Sequence, residues 1–146
     1  MRLSKKAEYA LRALAAMARG RKSWSIHDLS AQESIPVKFL EQILLGLRNA
    51  GLLASKRGVG GGYGLARAAA EITLGEIIRA LDGPFAPVPC AVERPAEPCT
   101  CPDPRTCPVR LMMSEFRRTT DDWLDAHTLE DLARLAPGEG TMAFDI

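Results

Sequence analysis

The glycine-rich segment 52–67 constrains the fold most strongly. Its sequence, LLASKRGVGGGYGLAR, places a basic tip with Lys56 and Arg57 between two short apolar runs. Four glycines in this tip, at positions 58 and 60–62, permit backbone angles that a side chain forbids, as tight β-hairpin turns require. The segment therefore predicts a β-hairpin with a basic tip. Taken alone it is also typical of an ordinary hairpin, and the Lys-Ser/Thr pair of a phosphate-binding loop is absent.

Three helices are predicted before the hairpin. Ser4 and Ser25 are N-cap candidates for the first and second helices, and Gly20 is a natural end for the first. Pro36 suits the first turn of a third helix, which ends at Gly51. The apolar residues of this third helix recur at helical spacing: Phe39, Leu40, Ile43, Leu44 and Leu47. Helix, short helix, tight turn, helix and basic hairpin together form the order of a winged helix-turn-helix domain.

The charge distribution favours a polyanionic partner for the first half of the chain. Residues 1–67 contain 12 Lys and Arg against 4 Asp and Glu, a net charge of +8, whereas residues 68–146 contain 7 against 14, a net charge of −7. We therefore predict a mainly α fold with a small β-hairpin wing, in which residues 1–83 bind DNA. A solvated charge imbalance without a partner is the alternative explanation.

DNA contacts are predicted from the third helix and the wing, because the third helix of this arrangement enters the major groove. Lys38 lies near the helix N-terminus, Glu41 can accept a hydrogen bond from a cytosine amino group, and Gln42 can pair with adenine. Arg57 can enter the minor groove or bind a phosphate. Lys38, Glu41 and Arg57 can instead be ordinary solvent-exposed side chains. The remaining candidates lie on the same helix or in the wing: Arg48, Lys56, Gly60, Gly61 and Tyr63.

A proline-rich loop separates the wing from two further helices. Thr73 begins a capping-box motif that opens a short helix before this loop. Residues 84–108 contain eight of the ten prolines and all four cysteines, a composition that excludes helix and central strand. A long helix and a short helix capped by Thr128 are assigned to residues 109–136. Residues 137–146 are predicted to be a flexible tail.

The predicted long helix is amphipathic. Its apolar stripe consists of Val109, Met112, Met113, Phe116 and Trp123. A stripe of methionine and aromatic residues at helical spacing is typical of core packing or of a seam with a partner helix, rather than of a cofactor site.

The four cysteines of the loop indicate soft-metal or redox chemistry. They are Cys90, Cys99, Cys101 and Cys107, with the spacing C-x8-C-x1-C-x5-C. Thiols within such a loop are poor candidates for packing or, in a reducing compartment, for structural disulfides. Thiolate clusters suit zinc, copper(I) or iron–sulfur clusters. The spacing matches neither the paired C-x2-C zinc pattern nor the bacterial ferredoxin pattern, so iron–sulfur, zinc and thiol redox sensing all stay open at this point.

Three blocks of the sequence resemble the IscR/NsrR/CymR family of bacterial transcription regulators. They are MRLSKKAEYALRAL, IPVKFLEQILLGLRNAGLL and SKRGVGGGYGLAR, of which FLEQIL and RGxGGGYxLA are the most specific parts. The resemblance implies a homodimeric winged-helix repressor or activator that binds a palindromic operator in double-stranded DNA. It also places Glu41, Gln42 and Arg57 in the recognition helix and wing, and makes the long helix the dimerisation helix.

The same resemblance implies a ligand set for an iron–sulfur cluster, either [2Fe-2S] or [4Fe-4S]. Cluster-binding members carry three loop cysteines, the last two separated by five residues, which assigns Cys90, Cys101 and Cys107. Cys99 is then an alternative ligand, a fourth ligand or a bystander. One type of member uses a histidine three residues after the last cysteine, where this chain has Arg110. Others use an acidic residue of the first helix from the other subunit, and the matching residue is Glu8.

The sequence thus predicts a DNA-binding transcriptional regulator under the control of an iron–sulfur cluster that senses redox state, nitric oxide or iron supply. The alternative is a regulator of the same fold that is stabilised by zinc or switched by thiol oxidation without a cluster. An enzyme is disfavoured, because we find no nucleophile–base pair and no metal motif beside a general base. The sequence lacks a membrane-spanning run and an N-terminal signal peptide, so we expect a cytoplasmic protein with no membrane partner.

Overall fold

The structure is a computed structural model that describes residues 2–20, 23–95 and 98–135. It begins with three helices, α1 (Lys5–Arg19), α2 (Ile26–Glu33) and α3 (Val37–Asn49). The predicted caps are confirmed, since the Ser4 hydroxyl accepts the N–H of Ala7 at 3.0 Å and the Ser25 hydroxyl accepts that of Asp28 at 3.0 Å. Pro36 lies at the N-cap of α3, one position before the first turn in which the sequence placed it.

The predicted hairpin follows α3. Strand β1 (Leu53–Lys56) pairs antiparallel with β2 (Gly62–Leu65). Lys56 and Gly62 form the last pair of the two strands before the turn. The tip turns through Gly58 and Gly60, whose φ angles are +97° and +74°. A short β-bridge joins Tyr63 to Trp24, between α1 and α2, and so attaches the hairpin to the helices. The mainly α fold with a small β-hairpin wing is therefore confirmed.

Three more helices follow within the described residues: α4 (Leu74–Asp82), α5 (Pro108–Ala126) and α6 (Leu129–Arg134). Thr73 and Thr128 form the capping boxes of α4 and α6 that the sequence predicted. The loop between α4 and α5 differs from the prediction in one detail, because it contains a 3-10 turn at Pro89–Ala91. A 3-10 turn is compatible with this sequence because proline at its start has no N–H to lose.

The C-terminal helix α6 packs back onto the N-terminal helices, which the sequence did not predict. Leu129 is fully buried in the core formed by α1, α3 and α4, and α6 contacts α1. Two backbone hydrogen bonds secure this return: the Leu129 N–H donates to the Ile72 carbonyl at 2.8 Å, and the Leu74 N–H donates to the His127 carbonyl at 2.9 Å. Both ends of α5 are thereby held by the rest of the chain, through the cysteine loop and through α6.

No helix in the described ranges has the length and hydropathy needed to cross a membrane. The predicted flexible tail, 137–146, lies outside the described residues.

The packing of α6 makes a prediction about stability. We expect Leu129→Ala to lower the free energy of unfolding by about 2–5 kcal/mol, because truncating a buried leucine removes apolar contacts and leaves a cavity. Leu135 is the matched control, because it lies just after the same helix and is 67% exposed. We expect Leu135→Ala to change the free energy of unfolding by less than about 0.5 kcal/mol. Urea unfolding followed by circular dichroism measures both. Equal effects would show that α6 is not part of the core.

Candidate DNA-binding surface and cysteine site

Helix α3 presents a polar face to solvent. Lys38, Glu41 and Gln42 are exposed, whereas Leu40 and Ile43 on the opposite face are fully buried. The buried face fixes the rotation of the helix about its axis and therefore decides which side chains point outward. The three predicted base-reading residues thus share the accessible face of α3.

The wing is basic and exposed, and α3 is tied to it. Lys56 and Arg57 lie at its tip and are exposed to solvent. The Arg48 guanidinium approaches the Ser55 hydroxyl at 3.4 Å, which connects the end of α3 to β1. Within the described residues, Lys38, Lys56 and Arg57 form no ion pair with an acidic side chain. These cations are therefore available to a phosphate backbone.

Three other predicted DNA-binding residues have a visible structural role in the wing. A side chain at Gly61 would place its Cβ 2.3 Å from the carbonyl oxygen of Lys56, and Gly60 has the positive φ that closes the turn. Tyr63 packs half-buried against the core and exchanges two backbone hydrogen bonds with Trp24, at 2.9 and 2.8 Å. These contacts explain the shape of the wing, and a direct contact of Gly60, Gly61 or Tyr63 with DNA stays a prediction.

The four cysteines of the loop converge although they are spread over 18 residues of sequence. Cys90 lies in the 3-10 turn, Cys99 and Cys101 follow in the loop, and Cys107 is the N-cap residue of α5. All four are free and half-buried. The Cys101 thiol donates to the Cys107 sulfur at 3.4 Å, and Cys99 interacts with both Cys90 and Cys101. The thiols thus form a chain of contacts in the order 90, 99, 101, 107.

The surroundings of these thiols raise the pKa of two of them and lower the pKa of the other two. Donation to the sulfurs of Cys99 and Cys107 raises the pKa of Cys101 to about 12, and burial raises the pKa of Cys90. The backbone N–H of Cys101 lowers the pKa of Cys99, and the N–H of Arg110, at the start of α5, lowers that of Cys107. Four thiolates this close repel one another, so their joint deprotonation requires a positive charge among them.

Contacting thiols are a donor set that both zinc and iron–sulfur clusters accept. Thiolates are the preferred ligands of such clusters, and four are present in contact. Zinc in a structural site takes four ligands around one ion. Among the described residues, no group of three or more Cys, His, Asp or Glu side chains is arranged around one such point. In the described part of the single chain, the four thiols therefore do not form a preassembled metal site.

Two arginines of α5 hold the backbone of the cysteine loop. Arg110 donates from Nε to the Cys90 carbonyl at 3.1 Å and from Nη1 to the Pro104 carbonyl at 3.0 Å. Arg117, two turns further on, donates from Nε to the Ala91 carbonyl at 2.8 Å. Sequence analysis did not predict that these arginines bind the loop. The local signal that could have indicated it is their seven-residue spacing, which places both on one face of α5.

Arg117 also begins an ion-pair network that reaches α4. Its Nη1 lies 2.8 Å from Asp121 Oδ2, and Arg79 of α4 lies 3.8 Å from Asp121 Oδ1 and 2.5 Å from Asp125 Oδ1. Gly75 permits this approach, because a Cβ there would lie 2.0 Å from Asp125 Oδ1. The network connects the cysteine loop to the DNA-binding domain through side chains of α5.

Glu8 lies on α1 and is paired with a cation of its own helix. Its carboxylate is 2.8 Å from the Lys5 ammonium and 44% exposed, and the hydrogen bond from Lys5 lowers its pKa. The structure describes no contact between Glu8 and a cysteine of the same chain among residues 2–20, 23–95 and 98–135. Its predicted role as a ligand from the other subunit stays a prediction.

The apolar stripe of α5 is open to solvent in the single chain. Met112, Phe116 and Trp123 are 65%, 41% and 55% exposed, and Val109 is 58% exposed. None of the described residues of this 19-residue helix is buried. An exposed stripe of this length, on a helix held at both ends, is typical of a protein–protein interface.

Comparison with known proteins agrees with this architecture. A family model described as Rrf2, iron-dependent transcriptional regulator, matches residues 3–135. A relative from Rhodobacter capsulatus, named as an rrf2-like HTH-type transcriptional regulator, is 36% identical over 136 residues, which cover 89% of this chain and 91% of the relative. The HTH-type transcriptional regulator CymR of Bacillus subtilis is 35% identical over 142 residues, covering 95% and 94% of the two chains.

Solved structures show the same fold. The structure of B. subtilis CymR, described as the global cysteine regulator, superposes with a TM-score of 0.75 at 33% identity and covers 94% of this chain and 99% of CymR. T. potens IscR superposes with a TM-score of 0.74 at 27% identity, covering 99% of this chain and 94% of IscR. These relatives are regulators rather than enzymes, and the resemblance drawn from the three sequence blocks is confirmed. The chain belongs to the Rrf2 family of transcriptional regulators, which bind DNA.

Proposed function

We propose that this regulator binds a palindromic operator as a homodimer and that an iron–sulfur cluster in the loop 84–108 controls the binding. The observation that carries the proposal is the contact chain of four thiols, which ends at the first turn of α5. The description of the family as iron-dependent and the structural similarity to IscR support it.

In the proposed site, Cys90, Cys101 and Cys107 hold the cluster, and the two arginines of α5 hold the loop around them. Such a cluster supplies, when bound, a centre that is sensitive to oxidants, nitric oxide and iron supply. The cysteines must lose their protons to act as ligands, so the lowered pKa of Cys107 favours binding there, whereas the raised pKa of Cys101 opposes it until a cation is present. Arg110 fixes the backbone on both sides of the site, at Cys90 and at Pro104.

A second copy of the chain would cover the exposed stripe of α5. Pairing two such helices buries the apolar side chains that the single chain leaves in water. A two-fold axis between them also presents two copies of α3 to DNA, as a palindromic operator requires.

The coupling between loop and DNA-binding domain is assigned to the network of Arg117, Asp121 and Arg79. Arg117 binds the loop at Ala91, and Arg79 belongs to α4, which packs against both α1 and α3. A loop that changes its order would shift Arg117 and Asp121 and thereby bias the position of α4. The two states can differ in DNA affinity only by as much as the cluster differs in its affinity for them.

A thiol switch without a cluster is the second candidate. The sulfurs of Cys101 and Cys107 are 3.4 Å apart, so a hydroperoxide that oxidises the Cys107 thiolate to a sulfenic acid leaves a neighbouring thiol to form the disulfide and release water. The similarity to CymR, described as a cysteine regulator, supports a thiol-based alternative. A regulator stabilised by zinc is the remaining version of this alternative.

The test of the proposed function compares operator binding by two forms of one sample. Operators are selected from random DNA with anaerobically reconstituted protein, and affinities are measured for the loaded and the chelator-stripped forms. We expect the affinities to differ by roughly 5–150-fold, the range of typical allosteric couplings. Equal affinities would contradict control by a cluster. A difference that instead follows peroxide and dithiothreitol in stripped protein would support the thiol switch.

Substitutions in α3 and the wing should separate base readout from phosphate binding. Gln42→Ala should relax the choice at one base pair by about 1–3 kcal/mol. Lys56→Ala should weaken binding to all sequences about equally and reduce the salt dependence by roughly one phosphate contact. Fluorescence anisotropy with operator and random DNA at several salt concentrations measures both. If Gln42→Ala lowers both affinities equally, Gln42 does not read a base.

The proposed coupling route predicts the effect of Arg117→Ala. We expect this variant to take up the cluster, but to show a ratio of loaded to stripped operator affinity close to one, because the loop loses the bond that joins Ala91 to the network of Asp121 and Arg79. Arg118→Ala is the matched control, since Arg118 is exposed and pairs only with Glu115 among the described residues. A wild-type ratio in Arg117→Ala would contradict this route.

A further inference from the structure

We infer that Leu45 of α3 contacts the C5-methyl group of a thymine in the major groove, so that the operator carries a thymine at a fixed position of each half-site. The inference rests on the proposed function in one respect, that α3 enters the major groove, and it does not depend on the cluster. It adds an apolar contact to the hydrogen bonds that were predicted for Glu41 and Gln42.

Leu45 differs from the other leucines of α3. Leu40, Leu44 and Leu47 are fully buried, whereas Leu45 is 47% exposed. A single exposed leucine is common on protein surfaces, so exposure alone points to no ligand. The position of Leu45 on the helix is the observation that does.

Leu45 lies at the centre of the exposed face of α3. Residues three, four or seven positions apart share one side of a helix. Leu45 follows Gln42 by three positions and Lys38 by seven, and Asn49 follows it by four. Gln42, Lys38 and Asn49 are all exposed. An orientation of α3 that brings Gln42 to the base edges therefore brings Leu45 into the groove as well.

The chemistry of the major groove identifies the group that Leu45 would contact. Base edges there present hydrogen-bond donors and acceptors, and the C5-methyl group of thymine is the apolar group among them. A leucine placed against a donor or acceptor displaces water without replacing its hydrogen bond, which costs free energy. Placed against a methyl group, it removes apolar surface from water on both sides of the contact.

The geometry of the helix predicts where this thymine lies. An α-helix rises about 1.5 Å per residue, so Leu45 is roughly 4.5 Å from Gln42 along the axis of α3. Base pairs are about 3.4 Å apart along DNA. We therefore expect the thymine within about two base pairs of the pair that Gln42 reads.

The experiment removes the methyl group and the leucine side chain separately and together. Operators are selected from random DNA with the full-length protein. Each thymine of a half-site is then replaced in turn by deoxyuridine, which lacks the C5-methyl group and keeps the hydrogen-bonding groups. Fluorescence anisotropy measures the affinity of the wild type, Leu45→Ala and Leu45→Met for every operator. Leu135→Ala is the matched control, because Leu135 is also an exposed leucine but lies at the end of α6.

We expect deoxyuridine at one position of the half-site to weaken wild-type binding about fourfold, which corresponds to the ~0.8 kcal/mol of burying one methyl-sized group. Leu45→Ala should bind the thymine and deoxyuridine operators equally at that position. Leu45→Met, which keeps an apolar side chain of similar volume, should retain the difference, as should Leu135→Ala. Thermal unfolding followed by circular dichroism checks that each variant folds.

Two results would overturn the inference. One is a wild type that tolerates deoxyuridine at every thymine near the base pair at which Gln42→Ala relaxes the choice. The other is a Leu45→Ala variant that keeps the full wild-type loss at the sensitive position. Equal operator affinities of the loaded and stripped forms would instead contradict the proposed control by a cluster, and they would leave the contact of Leu45 standing.

Discussion

In the proposed coupling, the link between the cysteine loop and α4 depends on the guanidinium of Arg117. It binds the Ala91 carbonyl of the cysteine loop and the Asp121 carboxylate of α5, and Asp121 faces Arg79 of α4. Ion pairs on an open surface contribute little, but Arg117 and Asp121 are only 17% and 19% exposed. Partial burial makes the pairing more dependent on geometry, so in the proposed coupling a displacement of the loop would be transmitted to the helix.

The crowding of four thiols at the start of α5 is the second constraint. Their pKa values move apart, because donation to the sulfurs of Cys99 and Cys107 raises the pKa of Cys101, while the backbone N–H of Arg110 lowers the pKa of Cys107. Thiols in this arrangement are suited either to a cationic centre or to oxidation, the same kinds of chemistry that the spacing of the cysteines left open. In the proposed function the loop is the chemical part of the regulator, while α3 and the wing are its DNA-binding part.

Local signals predicted most of the fold, and long-range contacts account for what was missed. Ser4, Thr73 and Thr128 cap helices through atoms three residues away, so the sequence window contains the whole interaction. The packing of Leu129 against the core depends on residues more than 50 positions apart, and no periodicity reports it. The same holds for the site: cysteine spacing identified the loop, whereas the hydrogen bond from Arg117 to Ala91 required the three-dimensional arrangement.

Anaerobic native mass spectrometry of the protein as isolated tests the central claim most directly, because it reports the oligomer and its inorganic content together. The account predicts a dimer in which each protomer carries iron and sulfide in equal numbers, and a loss of that mass on exposure to an oxidant. A protein that carries zinc, or that carries no inorganic mass even after reconstitution with iron and sulfide, would contradict it.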